Sequence, residues 1–117
     1  MPQTHYLTAW LTSGSQTVRM GILPVGAYVV RVHVHCTVAF NSDGTDNVTM
    51  GYTGTTNAYA TSTDVSTTGI KAPTLGAGAG FDGTAREVNA YYVNGGTEAS
   101  AGKALCIIEY FIAPRSP

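Results

Sequence analysis

Apolar and polar side chains alternate through the thirteen residues from Tyr28 to Phe40, YVVRVHVHCTVAF. Tyr28, Val30, Val32, Val34, Cys36, Val38 and Phe40 make an apolar register. Val29, Arg31, His33, His35, Thr37 and Ala39 make a mostly polar one. Successive side chains of an extended chain point to opposite faces, so a period of two predicts one long strand with a dry and a wet face. Shorter runs repeat the pattern. Thr4–Leu11 is a first strand with apolar groups in both registers, and Gln16–Leu23 a second with Val18, Met20 and Ile22 in step. Asn47–Thr53 carries Val48, Met50 and Tyr52 on one side, and Arg86–Val93 carries Val88, Ala90 and Tyr92. Lys103–Ile112 has Ala104, Cys106, Ile108, Tyr110 and Ile112 in one register and Leu105, Ile107 and Phe111 in the other. It is apolar on both sides, which predicts a central position or a second burial surface.

Turn formers punctuate these runs: Thr12–Ser15, Pro24-Val25-Gly26, Asn41–Asp46 and Asn94–Thr97. The middle third is less regular. Thr55–Ala60 is expected to make a helical turn capped by Thr56 or Asn57, and Val65–Ala72 a short strand. Gly76–Gly80 is either flexible or closely packed. Many short strands with almost no helix signal predict an all-β protein: an antiparallel β-sandwich, jelly-roll-like, of seven to eight strands in a single domain, residues 1–117.

Composition narrows the partners. Charged residues make up 11% of the chain, less than half the usual share, and seventeen threonines and fourteen glycines replace them. Such a surface relies on hydroxyls and amides, as befits a chain that lives in an assembly. A net charge of −1 without a Lys/Arg cluster gives no footprint for nucleic acid. No apolar run is long enough to span a membrane, and the N-terminus lacks a signal-peptide pattern, so synthesis in a cytoplasm is expected. Cys36 and Cys106 fall on apolar registers and are expected to be buried and free; whether they touch is left open by spacing.

Candidate chemistry is sparse. His33-x-His35 places two imidazoles on one strand face, the only spacing resembling a metal site. Zinc needs further ligands, for which His5 and Glu109 are the candidates, and Arg31 in the same row repels a cation. The row Arg31, His33, His35 and Thr37 is therefore read as a sheet surface open to a partner, together with the rings of Trp10 and Tyr91. Asn41–Asn47 has oxygen side chains at alternate positions, like half a calcium loop, but lacks the bidentate Glu and equally makes a turn. Gly76–Gly80 leads to neither Lys nor a helix, no Ser sits in a nucleophile elbow, and the seven carboxylates show no pairing. No catalytic residue, cofactor or metal is predicted. The aromatic residues also leave a carbohydrate-binding β-sandwich as an alternative.

Gly21–Val32 (GILPVGAYVVRV), the ending Thr37–Asn41, Met50–Thr53 with Asn57–Val65, and the approach from Tyr92 through Ala101-Gly102-Lys103-Ala104 to Ile112 resemble small β-rich structural proteins of tailed bacteriophages. In these an LPxGA turn opens a long strand and AFN or AFD closes it. Among them are head decoration (cement) proteins, compact jelly rolls docked as dimers or trimers outside the capsid. The resemblance implies a virion structural protein on the capsid surface, with the major capsid protein and further copies of itself as partners. A tail, neck or receptor-binding module is the alternative within the same class. A sandwich also leaves strand edges open to pair with a neighbouring copy or a capsid strand, Gln16–Leu23 being one such edge. The matching positions are scaffold, so no functional residue is implied.

Overall fold

The computed structural model describes residues 3–114. Nine strands run through them: β1 (Thr4–Thr12), β2 (Thr17–Leu23), β3 (Ala27–Val38), β4 (Asp46–Tyr52), β5 (Thr55–Asp64), β6 (Gly69–Lys71), β7 (Gly80–Phe81), β8 (Arg86–Asn94) and β9 (Lys103–Ile112). They form two antiparallel sheets. One has the order β1-β9-β3-β6, with β7 also on β3; the other has the order β2-β8-β4-β5. Counting β6 and β7 as two pieces of one interrupted strand, the strand orders of the two sheets are those of a jelly roll, with β4 and β5 joined within one sheet. No helix occurs among the described residues.

The core lies between the sheets. Leu11, Val29, Val32, Val34, Cys36 and Ile108 on one side meet Met20, Val48, Met50, Ala60, Val88 and Ala90 on the other. β9 takes the central position that its two apolar registers predict, hydrogen-bonded to β1 on one side and β3 on the other.

The long alternating run folds as one strand with two register shifts. Bulges between Val29 and Arg31 and between Cys36 and Val38 each insert an extra residue against β9. The expected dry face therefore holds for Val32, Val34, Cys36 and Phe40 and fails at its ends. Val29 enters the core, while Tyr28 and Val38 face outward. A bulge between Arg19 and Gly21 in β2 likewise sends Ile22 outward and Leu23 inward.

Two expected elements differ. Thr55–Ala60 is no helical turn but the first half of β5, where Ala58, Tyr59 and Ala60 are all buried. Three consecutive buried residues need cover on both faces, and residues 74–78 supply it. The N–H of Thr61 donates to the Thr74 carbonyl (3.0 Å), while those of Gly76 and Gly78 donate to the Tyr59 (3.0 Å) and Ala58 (2.7 Å) carbonyls. Of the two readings of Gly76–Gly80, close packing is the one realised: a methyl on Gly76 would collide with the backbone of Asn57 and Ala58. The second difference is Val65–Ala72, where only Gly69–Lys71 is extended. Val65 instead plugs the core at a bend, its N–H donating to the Asp46 carbonyl (3.0 Å) and its carbonyl accepting from Phe40 (2.9 Å).

Cys36 and Cys106 are both buried and free. Cys106 stands opposite Val34, and Cys36 opposite Ala104, so the thiols are diagonal neighbours on β3 and β9. Diagonal Cβ atoms lie about 7–8 Å apart, whereas a disulfide needs about 3.8 Å. Burial pushes both thiols up, that of Cys106 to about 12.

Candidate interaction surface

The outer face of the five-stranded sheet gathers most of the residues singled out from the sequence. Residues opposite one another in an antiparallel ladder share a face, so the registers of β1, β9 and β3 define rows across it. One row runs Tyr6, Glu109, Arg31; the next Thr8, Ile107, His33; the next Trp10, Leu105, His35 and Ile70 of β6. At the far end Thr4, Phe111, Tyr28 and Phe81 of β7 align. Arg31, His33, His35, Thr37 and Trp10 thus share one surface. Tyr91 does not: it lies on the outer face of the other sheet, where Asn89 Nδ2 donates to its hydroxyl at 3.2 Å.

That face is unusually apolar for one left open. Ile70 is 75% exposed, Phe81 62%, Tyr6 61% and Trp10 47%, and Leu105 and Ile107 lie half-buried between them. Ten-residue strands and four strand widths give a plan area of roughly 600 Å². Monomeric proteins rarely leave contiguous apolar patches above a few hundred Å² in water, and one partner in a standard interface contributes about 800 Å². The face as a whole, its polar rows Arg31, Glu109, Thr8 and His33 included, is of the same order as one partner's share.

The few charges on the face are spoken for. Arg31 Nη1 lies 3.5 Å from Glu109 Oε2, directly across the ladder. Lys103 Nζ sits 4.8 Å from the centroid of the Trp10 ring, and Thr37 Oγ1 donates to the Lys103 carbonyl at 3.3 Å. Tyr28 stacks on Phe111 (centroids 5.1 Å apart, 18° between planes), and with Phe81, Ala113 and Pro114 they line an open cleft of about 460 Å³. That cleft contains no carboxylate or amide side chain to orient a polar ligand.

Neither candidate metal site finds its ligands. Glu109 is paired with Arg31, and His5 lies on the inner side of β1, stacked on Tyr110 with centroids 5.4 Å apart. Among the described residues no group of three or more His, Cys, Asp or Glu side chains is placed to hold a metal. The Asn41–Asn47 loop spends its oxygens on the chain itself. Asn41 Oδ1 accepts from the N–H groups of Ser100 (2.8 Å) and Ala101 (2.9 Å). Asp43 accepts from the Thr97 hydroxyl (2.8 Å) and N–H, bonds that hold its carboxyl below the usual range. The buried Asp46 accepts from the Tyr92 hydroxyl at 2.5 Å and from the Ser42 N–H at 3.3 Å. The loop is a clasp onto the connection between β8 and β9.

Tyr6, Tyr28, Ile70, Phe81, Leu105 and Ile107 also belong to this face, a membership that the sequence alone does not reveal. The available signal was the second apolar register of β9. It marks an outward row, and only the pairing of β9 with β1 and β3 reveals which residues complete it.

No family model matches the chain, and no curated protein is similar to it in sequence. Its fold is found in phage capsid structures. The chain is similar to one in the capsid of the Helicobacter pylori bacteriophage KHP30, in an acidic stable form (TM-score 0.70, 17% identity, covering 97% of this chain and 92% of that one). It is also similar to one in the capsid asymmetric unit of cyanophage Pam1 (0.69, 18%, 97% and 86%) and one in the capsid of Ralstonia phage GP4 (0.68, 16%, 99% and 86%). At these identities the shared property is the fold. It extends over nearly the whole of each chain, and so matches the resemblance to β-rich phage proteins carried by the LPxGA turn and its flanking strands.

Proposed function

We propose that this chain is a structural, non-enzymatic protein of a phage virion: a decoration protein that binds the outside of the head and stabilises the shell. The observation that carries this reading is the likeness, along almost the full length of both chains, to small jelly rolls in three phage capsids. The outer face of the five-stranded sheet supplies the contact, with Trp10, Leu105, Ile107 and Ile70 as its apolar centre and Arg31, His33, His35 and Thr37 as its polar flank. The partner is the major capsid protein. A subunit that binds only the intact shell shifts the balance against rupture by mass action, with no chemical step. The aromatic cleft does not favour a glycan reader, because beside its rings it offers only the Tyr28 hydroxyl for hydrogen bonding.

The test is reconstitution on heads that lack the protein. Purified chain should bind saturably at a fixed copy ratio and raise the temperature at which heads release DNA. Ile107→Asp, which places a carboxylate in the centre of the face, should lower affinity at least tenfold while circular dichroism stays unchanged. Heads that bind none of the wild-type chain, or bind the variant equally well, exclude this role or this face respectively.

A further inference from the structure

A strand at the margin of a sheet leaves alternate backbone N–H and C=O groups unpaired. Native proteins blunt such margins with bulges, charge, proline, short length or a covering segment. Three of the four margins here are blunted. β2 is bulged at Arg19/Gly21 and carries Arg19, so the edge singled out from the sequence is a guarded one. β5 is covered by residues 74–78. β6 and β7 are three and two residues long. Among the described residues β1 has none of these devices. It runs nine residues in unbroken register with β9, and it contains no Pro, Lys, Arg, Asp or Glu.

Its sequence, THYLTAWLT, is also nearly symmetric about Thr8. Laid antiparallel on a copy of itself with Thr8 opposite Thr8, it sets Thr4 against Thr12 and Tyr6 against Trp10, all on the outer face. Thr–Thr and aromatic–aromatic pairs directly opposite one another are among those that stabilise antiparallel ladders. A slip of two residues loses the ring pairs, placing Tyr6 or Trp10 against threonine. A slip of one turns the second copy over and sends its core face outward. A two-fold contact must be self-complementary, and this register is.

We propose that β1 pairs with β1 of a second copy about a two-fold axis perpendicular to the sheet at Thr8. The two five-stranded sheets become one, and the Tyr6 and Trp10 rings of both copies form a continuous band across the seam. The pairing requires no shell, so it stands or falls apart from the capsid role.

Light scattering on the purified full chain at tens of micromolar tests it. The wild-type chain should weigh twice its 12.2 kDa, and Thr8→Lys, which sets two ammonium groups opposite each other on the exposed side, should weigh 12.2 kDa with unchanged circular dichroism. Thr8→Cys should give a disulfide-linked dimer under mild oxidation, because both copies of that position meet at the axis. Thr4→Cys should not, since it faces Thr12 of the other copy. A monomeric or trimeric wild-type chain, a dimer that survives Thr8→Lys, or equal cross-linking at Thr4 and Thr8 would each overturn the pairing.

Discussion

Two buried tyrosines at similar depth have opposite energetic standing. Tyr92 is 3% exposed and donates to Asp46, itself 2% exposed. Tyr59 is 1% exposed, and its hydroxyl has no partner among the described residues. Removing the Tyr92 hydroxyl strips a buried carboxylate of its short hydrogen bond, a loss of about 2–3 kcal/mol. Removing that of Tyr59 relieves an unpaired polar group and leaves the ring packing against Tyr52 in place. We expect Tyr92→Phe to lower the urea midpoint markedly and Tyr59→Phe to hold or raise it, by up to about 1 kcal/mol, with unchanged slopes. The reverse order would refute this assignment. Both phenols are pushed up to about 12, Tyr59 by burial and then by the nearby Asp82, Tyr92 by burial and then by its bond to Asp46. With folded values above the ordinary value near 10, their contribution is complete below pH 10 and is lost as pH rises toward 12. Tyrosinate absorbance and loss of sheet circular dichroism should therefore change together in that window. Full ionisation of both with the sheet signal intact would contradict it.

At the scale of elements, six of the nine strands were legible because their burial repeats every second residue without interruption over most of their length. β9 announced its central place through its second apolar register, and β8 its inward face through Val88, Ala90 and Tyr92. What escaped was local and has a physical reason. A bulge adds one residue and reverses the alternation, so Tyr28, Val29 and Ile22 land on the faces opposite to those a strict period assigns. β5 carries three neighbouring buried residues and so imitates a helix-sized apolar cluster. Its second cover comes from residues 74–78, a contact that no short-range pattern encodes. The candidate surface was half legible for the same reason. Arg31, His33, His35 and Thr37 could be assigned to an outward row from alternation alone, whereas the first strand, apolar in both registers, left the facing of Trp10 open. Tyr91 could not be separated from them without knowing that β8 belongs to the other sheet.

The whole molecule is an elongated slab, 52 × 26 × 19 Å, with its apolar face along one broad side and a clasp of loops joining Asn41–Asp46 to Thr97–Ala101. Its first sheet is assembled out of chain order. β9, which follows both of its neighbours in the chain, is the middle of that sheet, and β1 and β3 are joined only through it. A ribosome therefore releases β1 and β3 with nothing between them, and their core-facing sides must wait in solution for β9. Nascent chains halted before Lys103 should stay sensitive to protease, and resistance should appear in one step once residues 103–112 have cleared the exit tunnel. Gradual gain of resistance would rule out this order of events. The position of β9 thus makes closure of the first sheet conditional on residues 103–112: a chain that stops before Lys103 leaves β1 and β3 without the strand that joins them.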